Sequence, residues 1–246
     1  MKYLSLITIS LLLAGCNFNK IEITGAAPGM DGGIVSIIGG SGKTYFTQVI
    51  KAEKYAIKQQ PLPAFGYFTL SVQSGPFPHD FEIYLEPGKY TIDIPKKDGV
   101  YPKIIAESKI QNNLSIYYNF ENSIMNKFRK DADMLSAKLS DPKVKLSEAE
   151  VESLVKQIQS SRNREHGLRI TIMDMFIKKY PKNDIVPHII TNMDYQNDPQ
   201  PYYILYKKLS PEVQSSEEGG KIGEELQQLI KQNEAKQVSV NHYFKP

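Results

Sequence analysis

The apolar residues of this chain change period once, near residue 107, and that change limits its folds more than any other feature. From Ile21 to about Ala106 the chain is a series of short apolar or alternating runs punctuated by Gly, Pro, Asn and Asp. The segments 34–38, 45–50, 67–72, 81–85 and 90–94 are rich in β-branched and aromatic residues, which suit a pleated surface. Between the last two, Glu86-Pro87-Gly88-Lys89 carries proline and glycine at the central positions of a type II turn, which predicts a hairpin. From Lys109 onward the spacing becomes helical. Leu114, Tyr117, Tyr118, Ile124, Met125, Phe128, Met134, Leu135 and Leu139 share one helix face. Strands first and helices afterwards predict an α+β chain, with an antiparallel β-sandwich-like domain over 16–108 and an all-helical region over 109–232.

Within the helical region, Pro142 interrupts and Ser147-Glu148-Ala149-Glu150 matches a capping box, so a second helix starts there. It runs past Leu154, Ile158, Leu168, Ile172 and Phe176 to Tyr180, where Pro181 ends it, and the two long helices are expected to lie antiparallel. Shorter helices are expected near 184–195, 201–209 and 212–232, the last weakened by Gly219-Gly220, with a frayed tail over 233–246.

Composition excludes several function classes. The 246 residues carry 30 Lys+Arg against 27 Asp+Glu, a net charge of +3, which is too little basic surface to argue for nucleic acid. One cysteine leaves no intramolecular disulfide, no Cys-x-x-Cys chemistry and no multi-thiolate metal site.

The cysteine instead has an address. Met1-Lys2 and the apolar stretch Leu4 to Leu13 form a secretory signal over 1–15, too short for the roughly 20 residues a membrane span needs. It ends in Leu12-Leu13-Ala14-Gly15-Cys16, which resembles the lipobox of bacterial lipoproteins. That resemblance implies cleavage before Cys16 and its lipidation, several acyl chains together giving stable attachment to a membrane. No acidic run follows Cys16, which favours a protein facing the periplasm over one exported to the cell surface.

A wider resemblance rests on the signal, the segment Phe81-Glu82-Ile83-Tyr84-Leu85-Glu86-Pro87-Gly88 and the helix end Phe176-Ile177-Lys178-Lys179-Tyr180-Pro181-Lys182-Asn183. These resemble the N-terminal half of a family of Gram-negative lipoproteins in which an uncharacterised β domain and a helical linker precede a thioredoxin-like domain of the AhpC/TSA type. The catalytic part of that family would begin about where this chain ends, and residues 233–246 contain no Trp-Cys-x-x-Cys run. No catalytic residue of the family maps onto this chain. The expectation is either a binding role of its own or a truncated remnant of a longer protein.

The remaining motifs point away from chemistry. Gly39-Gly40-Ser41-Gly42-Lys43-Thr44 imitates a phosphate-binding loop, but the template needs glycine where Ile37 stands, and Tyr45 to Ile50 reads as a strand rather than a helix. His79, His166, His188 and His242 are scattered without metal-ligand spacing, and no Gly-x-Ser-x-Gly elbow is present. Asp131 with Asp133, and Glu217 with Glu218, read as solvated helix faces. Tyr117, Tyr118 and Phe120, and Tyr202, Tyr203 and Tyr206, either pack in the core or line a partner-binding groove.

The chain is therefore expected to be a non-catalytic binding or scaffold module without cofactor or metal, anchored in the cell envelope and meeting another envelope protein. The alternative is an accessory half of a thiol-disulfide oxidoreductase system completed by a separate thioredoxin-like chain.

Overall fold

A computed structural model describes residues 19–75, 78–96, 100–141 and 143–243, and divides into two compact units, one through Ile116 and one from Tyr117 on. The architecture is α+β: two four-stranded sheets, then helices.

Eight strands build the first unit: β1 (Lys20–Ala26), β2 (Ile34–Gly39), β3 (Thr44–Val49), β4 (Lys54–Pro61), β5 (Gly66–Gln73), β6 (His79–Leu85), β7 (Gly88–Asp93) and β8 (Lys103–Ala106). One sheet has the order β4-β1-β7-β8 and the other β3-β2-β5-β6. Alternation does the work of packing. Ile21 and Ile23, Val35 and Ile37, Leu70 and Val72, Ile83 and Leu85, and Tyr90 and Ile92 point inward at every second position, and together they form one core between the two sheets. The five runs expected from composition all form strands. Sheet pairing is antiparallel except between β1 and β7, which run parallel with Ile21 opposite Gly88.

That pairing overturns the expected hairpin at Glu86-Pro87-Gly88-Lys89. β6 pairs with β5 and β7 with β1 and β8, so the Pro-Gly segment carries the chain from one sheet to the other. Gly88 has φ 153°, far from the value near +80° of a type II turn. Tyr90 supplies the tie that a turn hydrogen bond would have supplied: its hydroxyl accepts from the Glu86 N–H at 2.9 Å and donates to the Glu86 carbonyl at 3.0 Å. A tyrosine holding the backbone a few residues upstream is a known device at sheet crossings in β-sandwiches.

Helices follow: α1 (Lys109–Ser140), α2 (Glu148–Lys179), α3 (Val186–Thr191), α4 (Pro199–Tyr206), α5 (Pro211–Gln214) and α6 (Glu217–Tyr243). The first turns of α1 belong to the β unit. There Gln111 accepts from the Tyr84 N–H on the edge strand β6 at 2.7 Å and donates to the Tyr101 hydroxyl at 3.2 Å and to Ser115 at 2.9 Å. An exposed strand edge is thereby blunted.

In the second unit α1 and α2 form the expected antiparallel hairpin. Tyr117 and Phe120 on α1 meet Phe176 near the end of α2 edge to face, at 5.1 and 5.5 Å. The capping box forms as the sequence predicts, Glu150 N–H to Ser147 Oγ and Ser147 N–H to Glu150 Oε2. The last third departs from expectation. In place of one helix over 212–232 the chain forms α5, breaks at Ser215-Ser216, and restarts as α6, which continues past Asn233 to Tyr243. Ser216 makes the break by accepting the Gly219 N–H at 3.1 Å as an N-cap.

Two of the three glycines in α6, Gly219 and Gly223, are sites of close approach, whereas nothing lies within 4 Å of a Cβ on Gly220. A Cβ on Gly219 would sit 2.0 Å from the Val213 carbonyl oxygen, and one on Gly223 2.5 Å from the Tyr206 ring. Only glycine lets the helix approach that closely.

Candidate functional site

Cys16 lies outside the described residues, but the point at which the chain enters the β unit is defined. β1 starts at Lys20, and the Leu62 N–H donates to the Asn19 carbonyl at 2.8 Å. The loop after β4 is thus pinned to the chain three residues beyond Cys16. Beside it an open groove of about 380 Å³ is lined by Lys20, Glu22, Gln59, Pro87 and Lys89. A second groove on the β unit, about 560 Å³, is lined by Thr24, Gln48, Val49, Lys54 and Asp93 among others. Asp93 there accepts the Ala26 N–H at 3.0 Å.

The tyrosine hydroxyls of the β unit are structural posts. Tyr55 donates to the Ile92 carbonyl at 2.7 Å and Tyr101 to that of Glu82 at 2.7 Å. Burial pushes the Tyr90 phenol up to about 12 and those of Tyr55 and Tyr101 higher still, so all three stay protonated donors across the physiological range.

Tyr202 and Tyr206 pack inside the helical unit, 1% and 7% exposed, and Tyr203 is half-buried. Placing all three on a partner-facing groove is therefore corrected: α4 turns Tyr202, Leu205 and Tyr206 inward, and α4 packs on α6 and α2. Tyr203 lies against Tyr206, ring centroids 6.1 Å apart. Tyr117 is likewise core, with Tyr118 and Phe120 half-buried.

The polar residues sequence reasoning passed over lie in this same interior. Glu121 and Asn122 on α1 are buried, and the buried Tyr117 hydroxyl has no hydrogen-bond partner. Burial first, and the Glu121 charge second, hold that phenol well above its ordinary pKa. Glu121 falls four residues after Tyr117 and four before Met125, so the helical spacing that marked the apolar face already placed it inward. Elsewhere Asp174 on α2 bridges Lys178 at 2.7 Å and Lys208 at 2.6 Å, and these two lysines hold its carboxyl below the usual carboxylate range.

The phosphate-loop imitation is a strand connection. The Gly39 N–H donates to the Lys43 carbonyl, Gly42 takes φ 78°, β3 begins at Thr44, and the Lys43 ammonium lies 5.3 Å from the Tyr45 ring. The loop leads into the strand β3 and not into a helix, so it lacks the helix N-terminus that a phosphate-binding loop opens. His79 opens β6, and His188 on α3 sits 3.2 Å from the Asn192 amide; the side chains of His166 and His242, and of Asp131 and Asp133, lie outside what is described. Glu217 forms an exposed pair with Lys221 at 2.6 Å, as a solvated helix face does.

Among the described residues no three His, Cys, Asp or Glu side chains converge as metal ligands, and no helix is long and apolar enough to cross a membrane. Comparison with protein-family models, with curated proteins and with solved structures gave no match.

Proposed function

We propose that this chain is an envelope lipoprotein, held on a membrane by acyl chains on Cys16 and acting as a non-catalytic binding or scaffold module. The observation that carries the reading is Leu13-Ala14-Gly15-Cys16 at the end of an apolar segment too short to span, four residues before the first strand. A cysteine that is unique in the chain and sits at that position has a chemical use there and no disulfide partner elsewhere.

A binding role draws on the exposed part of the helical hairpin. Met134 on α1 and Val151 and Val155 on α2 are 67%, 37% and 44% exposed. Apolar side chains left open on a helix pair are what a partner protein in the envelope would cover.

Metabolic labelling with a fatty-acid analogue tests the anchor. The wild-type chain takes up the label and fractionates with membranes, and Cys16→Ala does neither. Label persisting in the Cys16→Ala protein would refute the assignment.

A further inference from the structure

The end of the β unit at which the chain enters carries features that an anchored protein would turn to the bilayer. β6 ends at Leu85 and β7 begins at Gly88, so the two sheets share this end. The starts of β1, β5 and β7, the ends of β4 and β8, and the connection Gly40–Lys43 all lie on it, as the strand registers require. The loop after β4, Leu62 to Phe65, projects here. Leu62 is buried and bonded to Asn19, whereas Phe65 is 56% exposed.

Lys20, Lys43 and Lys89 are exposed around it. Glu22 and Glu86 are half-buried at the same end, and Glu107 is exposed. The groove between Lys20, Glu22 and Lys89 thus offers ammonium groups and one carboxylate, which match the phosphate and the amine of a phospholipid headgroup.

We propose that this end of the β unit rests on the membrane surface, with the Phe65 ring in the headgroup layer and Lys20 and Lys89 on lipid phosphates. The inference rests on the reading of Cys16 as the anchor. Three residue steps separate Cys16 from Asn19, and a fully extended chain covers about 10 Å in that distance, so an anchored Cys16 holds this end and no other within reach of the headgroups. An exposed aromatic ring beside lysines suits the interfacial layer, where a ring is partly desolvated and ammonium groups meet anionic phosphate.

The unique cysteine makes the test independent of what cells do with it. The chain from Cys16 onward is coupled through that thiol to vesicles of phosphatidylethanolamine and phosphatidylglycerol carrying a maleimide lipid. The sequence has no tryptophan, so Phe65→Trp places a single fluorophore at the proposed contact and Asp31→Trp a control in the exposed loop after β1, at the opposite end. Phe65→Trp is expected to show blue-shifted emission that brominated lipid quenches, with the quenching reduced by Lys20→Glu and Lys89→Glu together. Asp31→Trp is expected to remain unquenched. Equal quenching at the two positions, or none at Phe65→Trp, would overturn the proposal. Because the tether is chemical, that outcome is read separately from any failure of Cys16 to be acylated in cells.

Discussion

The β unit and the helical unit solve the burial problem differently. In the β unit, inward residues of both sheets meet in one continuous core, and the edge strand β6 is covered by Gln111. In the helical unit the buried residues gather where Phe176, Ile190, Tyr202, Leu205 and Leu226 come together, while Met134, Val151 and Val155 on the hairpin stay open. A sheet face is buried as a whole once a second sheet covers it. A long helix is buried only along the length that neighbours reach, and α3, α4 and α5 are segments of 6, 8 and 4 residues beside the 32 of α1 and of α2.

The contrast is broken most directly in the β core. Leu70→Ala removes a fully buried side chain between the sheets and is expected to cost about 2–5 kcal/mol. Amide exchange should rise across β2 and β5 and equally across β1 and β7 of the facing sheet; protection left unchanged in β1 and β7 would mean the two sheets do not share one cooperative core.

Gly223→Val tests the helical unit where it is tightest. The added carbons meet the Tyr206 ring, and overpacking of this kind costs about 1–3 kcal/mol. The loss should appear in the melting of the helical signal and be reduced by Tyr206→Leu in the same chain, since the clash is with that ring. An equal loss in both backgrounds would place the strain elsewhere.

Met134→Ala should be the mildest of the three. An exposed side chain without a covering neighbour changes stability by no more than about 0.5 kcal/mol. A loss approaching that of Leu70→Ala, measured by denaturant titration of the isolated protein, would show that the hairpin face is covered in solution and would make the two units alike.

Much of this architecture was legible beforehand, for local reasons. Five of the strands announced themselves because their inward positions recur every second residue with β-branched or aromatic side chains, and the start of α2 because Ser147 and Glu150 satisfy each other's backbone within one turn. β4 was harder. It is an edge strand, its alternation rests on Tyr55 and Ile57 alone, and the lysines and glutamines around them look like loop. Of the candidate site, Cys16 was readable as a motif, while the loop that carries Phe65 was not, because its place depends on a hydrogen bond from Leu62 to Asn19 across the sheet end.

Local spacing fixes the α+β order, the period of each segment and hence which residues within a strand or helix share a face. Period is set by backbone geometry over a few residues, so it needs no partner. Long-range packing settles which strands pair, making Pro87-Gly88 a passage between sheets instead of a hairpin and β1 with β7 a parallel pair. It also decides that Tyr202 and Tyr206 face inward while Tyr203 is half-buried, and that Gly219 and Gly223 serve close approach. Each of these depends on residues distant in the chain arriving at the same place, and local spacing carries no record of that meeting.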